Sequence, residues 1–185
     1  DTAKGILRNS VNNQWTLGLI SKLKWKVSEK FKTSFGIDGR TAEIDHFREI
    51  RDLIGGKLFI DYADEFSTEY RKYLGDKVEY HNTNTVNWMG GYAQGEYNYN
   101  KITAYGMAGY SMIKYNYINH FKKAENSEDK LTTKTDWIGG YQVKGGMSFR
   151  FTKTVNAFVN LGYVSKVPIF DAVIDDTDGT KADNP

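Results

Sequence analysis

Residues Trp137 to Phe151 read WIGGYQVKGGMSFRF, and this stretch decides the fold class. Its odd positions are Trp137, Gly139, Tyr141, Val143, Gly145, Met147, Phe149 and Phe151. Its even positions are Ile138, Gly140, Gln142, Lys144, Gly146, Ser148 and Arg150. Alternation with a period of two puts these sets on opposite faces of one extended strand. One face carries no charge, and the other carries Lys144 and Arg150. Strands of water-soluble sheets usually run about five or six residues. A membrane-crossing strand needs about 9–11 tilted residues with an apolar face toward lipid. The stretch therefore predicts a transmembrane β-strand.

The same pattern recurs along the chain. In residues 14–27, Trp15, Leu17, Leu19, Ser21, Leu23, Trp25 and Val27 share one face, while Lys22, Lys24 and Lys26 lie on the other. Trp15 and Trp25 are ten residues apart on the apolar side. At about 3.3 Å per residue and a tilt near 45° that spans roughly 23 Å, close to the apolar band of an outer-membrane barrel with its aromatic rims. Trp15, Trp25, Trp137 and Phe149 are the expected lipid-facing girdle. Further strands are predicted at 31–42, 83–97, 102–115, 136–151 and 155–164. Their expected lumen face includes Arg40, Trp88, Tyr92, Gln94 and Glu96 besides Lys22, Lys24, Lys26, Lys144 and Arg150. In strand 102–115 the parity is ambiguous; Ile102, Ala104, Gly106, Ala108, Tyr110 and Met112 are read as outward, against competition from Tyr105, Met107 and Ile113.

Connections after the first, third and fifth strands are short, and those after the second, fourth and sixth are long, at 43–82, 116–134 and 165–185. This is the asymmetry of periplasmic turns and extracellular loops. Within the first long connection, Ile44, Phe47, Ile50 and Leu53 have partly helical spacing, which predicts a loop carrying local helix. The fold class expected is all-β: six long strands of a larger antiparallel transmembrane barrel. Six strands alone would leave two open edges in hydrocarbon, so further strands are expected in the same wall.

Composition agrees. The 185 residues include 13 Tyr, 10 Phe, 4 Trp and 18 Gly but only 2 Pro. Mean hydropathy is −0.60, and no apolar run approaches the roughly 18 residues of a membrane helix. A net charge of +2 gives no footprint for nucleic acid. The absence of cysteine excludes disulfides and thiolate metal sites.

Three stretches carry a family likeness. FGIDGR followed by HFREIRDLIGG, then VNWMGGYAQGEYNYNKITAYG, then NLGYVSKVPIFDAVIDD ending in NP, together resemble the barrel of TonB-dependent outer-membrane receptors. The resemblance runs from Gln14 to Pro185. It implies a 22-stranded barrel blocked by a plug, which binds a scarce extracellular ligand and imports it with energy passed through TonB. The partners implied are outer-membrane lipid, the plug domain and TonB, the ligand and a surface lipoprotein. The chain carries no plug, TonB box or terminal aromatic strand, so it is expected to be part of a longer protein.

No catalytic constellation is evident, and neither enzyme activity nor a cofactor is expected. There is no GxSxG, P-loop or HExxH motif. His46, His81 and His120 lie far apart in sequence and are expected as solvated loop or strand-end residues rather than metal ligands. Asp45, Glu49 and Asp52 read as a solvated face. Asp175 to Gly179 resembles part of a calcium loop without its later glutamate, and an ordinary acidic turn is expected there. The lumen lysines are read either as partners for acidic plug residues or as groups that hydrate the pore. Trp88 and Tyr92 are read as a ligand-stacking pair or as packing residues. Two other readings fit the same residues: a passive porin, and a soluble β-rich module gripping glycans through exposed aromatics.

Overall fold

The computed structural model describes residues 1–175 and 179–181. Nine strands follow in order: β1 (Leu7–Lys26), β2 (Phe31–Asp52), β3 (Phe59–Ile60), β4 (Arg71–Lys72), β5 (Lys77–Tyr99), β6 (Ile102–Lys123), β7 (Lys130–Lys134), β8 (Ile138–Arg150) and β9 (Asn156–Ser165). A 3₁₀ turn, Phe170–Ala172, is the only helical element among the described residues. The fold is all-β. The main sheet runs β1-β2-β5-β6-β8-β9, with β7 paired to the far part of β6 and β3-β4 as a separate ribbon. Every pairing between named strands is antiparallel. The path begins at β1 and ends at β9 with no pairing between them among the described residues.

At one end the connections are residues 27–30, 100–101 and 151–155. Two of them use the same device. The Ser28 hydroxyl accepts from the N–H of Phe31 (3.0 Å), and the Thr152 hydroxyl accepts from the N–H of Val155 (3.0 Å). A side chain bonded to nearby backbone offers an alternative to the ladder and turns the chain.

The far end differs from the sequence-based expectation. Residues 43–82 are not one loop with local helix. Residues 43–52 continue β2 and 77–82 begin β5, leaving a connection at 53–76 that holds β3 and β4. Likewise 116–123 continue β6, and 130–134 form β7. The strands are thus 20 to 23 residues long in β1, β2, β5 and β6. The helical spacing of Ile44, Phe47 and Ile50 reflects burial on both faces. Phe47 and Ile50 point to opposite sides, yet both are buried. Backbone pairing to β1 and β5 overrides the spacing, as tertiary context commonly does. The register of β2 against β5 shifts between Phe47 and Arg48, and Glu79 there has φ 67°. This is a β-bulge that absorbs extra residues on β5. Asp176, Thr177 and Asp178 of the acidic turn lie outside the described residues.

The largest core lies at this far end. Ile113, Tyr115 and Tyr117 of β6 pack with Val173 and Ile174, flanked by Val86, Trp88, Ile138, Val167 and Phe170. The segment after β9 therefore folds back across one face of the sheet. Elsewhere the opposite face is open: Leu19 is 70 % exposed, Trp25 58 % and Leu161 77 %.

Close packing on the sheet surface is tested by glycine replacement. A Cβ on Gly36 would collide with the Tyr92 ring, whereas one on Gly39 meets nothing within 4 Å. Gly36→Val should lower stability by about 1–3 kcal/mol in thermal or denaturant unfolding, Gly39→Ala should not, and Tyr92→Ala should relieve the Gly36→Val defect.

Candidate functional site

Cross-strand register gathers the predicted polar residues on one face. Lys22, Gly36, Tyr92, Gly109, Gln142 and Val164 form one row across six strands. Lys24, Ser34, Gln94, Met107, Lys144 and Gly162 form the next, and Lys26, Lys32, Glu96, Tyr105, Gly146 and Asn160 the third. Arg40 lies opposite Trp88, and Arg150 ends β8 opposite Asn156. The ten predicted residues thus share one face. Arg40 grips Asp38 through two contacts, Nε to Oδ1 at 3.0 Å and Nη2 to Oδ2 at 2.5 Å. The lysines stand side by side; Lys22, Lys24, Lys26 and Lys32 line a shallow depression with Gln94 and Glu96.

Two cavities mark this face. The first, about 540 Å³, is lined by Lys22, Gly36, Asp38, Trp88, Tyr92, Gln142 and Lys166. The second, about 710 Å³, lies at the far end among His46, Arg48, Tyr80, Asn82, Asn84, Phe170 and Asp171. Asn82 and Asn84 are buried, and their Oδ1 atoms have no hydrogen-bond partner among the described residues. A buried acceptor without a donor is costly, and these two oxygens are closed off from the cavity that their residues line. Arg8 and Arg48 both pair with Glu79 beside it, and Arg48 lies 4.9 Å from the Tyr80 ring.

Comparison of the chain with family models, with curated proteins and with solved structures gave no match.

Trp88 is part of the packing between β6 and the returning segment rather than an open stacking platform. Its buried Nε1 lacks a partner among the described residues. Tyr92 lies across Gly36. Of the girdle candidates, Trp15 is 51 % exposed and donates from Nε1 to Glu43 Oε1 at 3.3 Å. Trp137 is exposed, and Phe149 meets Phe151 edge-on at 4.8 Å.

The histidines overturn the expectation of scattered, solvated groups. His46 faces the second cavity, but His81 and His120 stack at 4.1 Å on the opposite face. The β2–β5 and β5–β6 pairings bring them to Asp45, one row beyond Trp15. His81 Nε2 lies 2.9 Å from Asp45 Oδ1, and Thr83 Oγ1 donates to the same oxygen at 3.0 Å. Thr83 Oγ1 is also 2.7 Å from His120 Nε2. Burial, its neighbour His81 and Lys130 push His120 down to about 4. Burial likewise holds His81 below its ordinary value, outweighing the opposing hydrogen bond to the Asp45 carboxylate. Burial would raise Asp45, but its bonds to His81 and Thr83 and the Lys77 charge leave it lowered. At neutral pH the cluster is therefore a carboxylate with two uncharged imidazoles. Long-range pairing made this cluster invisible to residue spacing.

The returning segment is held to the sheet by the Tyr115 hydroxyl, which donates to Pro168 O at 2.9 Å. Tyr115→Phe should remove about 0.5–1.5 kcal/mol from that contact. The amides of Val173 and Ile174, which donate to Phe170 O, should then exchange several-fold faster with solvent deuterium, while β5 amides keep their protection.

Proposed function

We propose that this chain forms part of the wall of an outer-membrane β-barrel that takes up an extracellular ligand in a TonB-dependent manner. One observation carries the reading. From Met112 to Ile102, alternate residues of β6 and their row partners on the other five strands include no charged side chain. The ten steps from Ile102 to Met112 at about 3.3 Å each, tilted near 45°, span roughly 23 Å, the height of the apolar band that lipid demands. Over the same span the other face carries Lys22, Lys24, Lys26, Lys32, Asp38, Glu96 and Lys144. An exposed apolar surface this wide is foreign to a soluble monomer, which disfavours the glycan-binding module.

The energised receptor is favoured over a passive porin by the family resemblance and by strand length. β2, β5 and β6 run about twice as far as a bilayer needs, giving a tall wall beyond the band. In hydrocarbon β1 and β9 would each require a further strand. The lysine rows are the surface offered to an acidic plug, and the cavity beneath Asn82 and Asn84 is offered to the ligand.

Val143→Arg, in the middle of the band, should cost about 2–4 kcal/mol, read as loss of the slow-migrating folded form in unboiled electrophoresis. Lys144→Gln, one residue away on the other face, should leave that form intact. Release of the protein from membranes by salt alone would refute the barrel. Lys24→Gln with Lys26→Gln should speed deuterium exchange in the plug; unchanged exchange would leave the lysines as pore-hydrating groups.

A further inference from the structure

We propose that Asp45, His81 and His120 form a site for a divalent transition-metal ion of the zinc class, on the outward face of the sheet where β2, β5 and β6 meet. One ligand atom from each residue lies within 4.8 Å of the other two. Two imidazoles and a carboxylate are a donor set that zinc takes, with a fourth position left for water. Tetrahedral coordination at about 2.0–2.2 Å needs the donors roughly 3.3 Å apart, which small side-chain rotations supply.

The hydrogen-bond pattern points to a cation. His81 Nε2 faces Asp45 Oδ1 at 2.9 Å and the Lys77 ammonium at 2.9 Å. If Nε2 bears the proton it suits Asp45 and opposes Lys77; if it bears the lone pair it suits Lys77 and opposes Asp45. A cation held between nitrogen and carboxylate satisfies both at once. Lys77 Nζ stands close to that position, 3.6 Å from Asp45 Oδ2 and 3.9 Å from the centre of the Phe47 ring. Lys130 Nζ likewise reaches His120 Nδ1 at 3.0 Å. Both lysines are tethered competitors on flexible stems, able to withdraw when a metal takes the lone pairs. Thr83, bonded to Asp45, orients the carboxylate as outer partners of metal ligands do. The three donors come from three separate strands, so a bound ion would staple the sheet beyond the apolar band. This inference is independent of the uptake reading.

The test is isothermal titration of Zn²⁺ into the untagged full chain, in detergent or buffer as its solubility dictates. Variants are checked for strand content by circular dichroism. One site is expected, weakened at least tenfold by His81→Gln, His120→Gln or Asp45→Asn and unchanged by His46→Gln. Lys77→Met with Lys130→Met should tighten it about tenfold or more, an effect that a merely structural hydrogen-bond cluster would not give. Failure of both wild type and the double lysine variant to bind Zn²⁺ would overturn the proposal. So would binding that survives loss of either histidine.

Discussion

Backbone hydrogen bonds on both edges of β2, β5 and β6 decide which side of the sheet every residue occupies. In an antiparallel ladder a slip of one residue exchanges the two faces completely. In β1 such a slip would bring Lys22, Lys24 and Lys26 to the side now held by Leu19, Leu23 and Trp25. The register is continuous from Lys32 to Phe47 against both neighbours, so the separation of charge from apolar surface is a property of the whole sheet. Glycines help by letting large rings lie flat across strands. Phe31 approaches Gly95 and Tyr110 covers Gly139, and bulky residues at those glycines would push the rings away.

The rule changes beyond the row of Trp15. There neither face is left bare: one is covered by the segment holding Val173 and Ile174, and on the other Phe47 packs edge-on against His81, which stacks on His120. Once neither face is uniformly open, the sequence is released from strict alternation. Ionic and apolar groups mix, as in Arg48–Glu79 beside Val78 and Lys77–Asp45 beside Phe47. The bulge at Glu79 re-aims side chains at this level, and the Asp61 carboxylate accepts the Glu79 N–H at 3.0 Å.

This division explains what the sequence revealed. Where one face is open, period two is plain, and the six central segments and the polar face were legible from residues such as Lys24, Gln94 and Lys144. Where both faces are covered, Ile44, Phe47 and Ile50 imitate helical spacing, so the far halves of β2, β5 and β6 read as loop. The cluster of Asp45, His81 and His120 was illegible for a related reason. Its members are 36 and 39 residues apart along the chain and meet only because two ladders align them. Asn82 and Asn84 were missed as well: Asn82 ended the predicted connection 43–82 and Asn84 lay at the start of the predicted strand 83–97, and only burial reveals their unpaired oxygens.

The charged residues also fix where the apolar band must stop. On the outward face, Met112 is followed two positions on by Lys114, which pairs with Asn87. Glu43 lies one row beyond, opposite Trp15. A lysine at the edge of hydrocarbon can carry its ammonium outward on its stem, but a carboxylate with a shorter stem has less reach. Trp15 donates its indole N–H to Glu43, presenting a polar edge on one side and a ring on the other. Aromatic residues with one wet end favour such a boundary. In the proposed barrel the level of Lys114, Glu43 and Trp15 is therefore the natural rim. Asp45, His81 and His120 would then stand just outside it, where water can reach an imidazole and a carboxylate without the cost that hydrocarbon would impose.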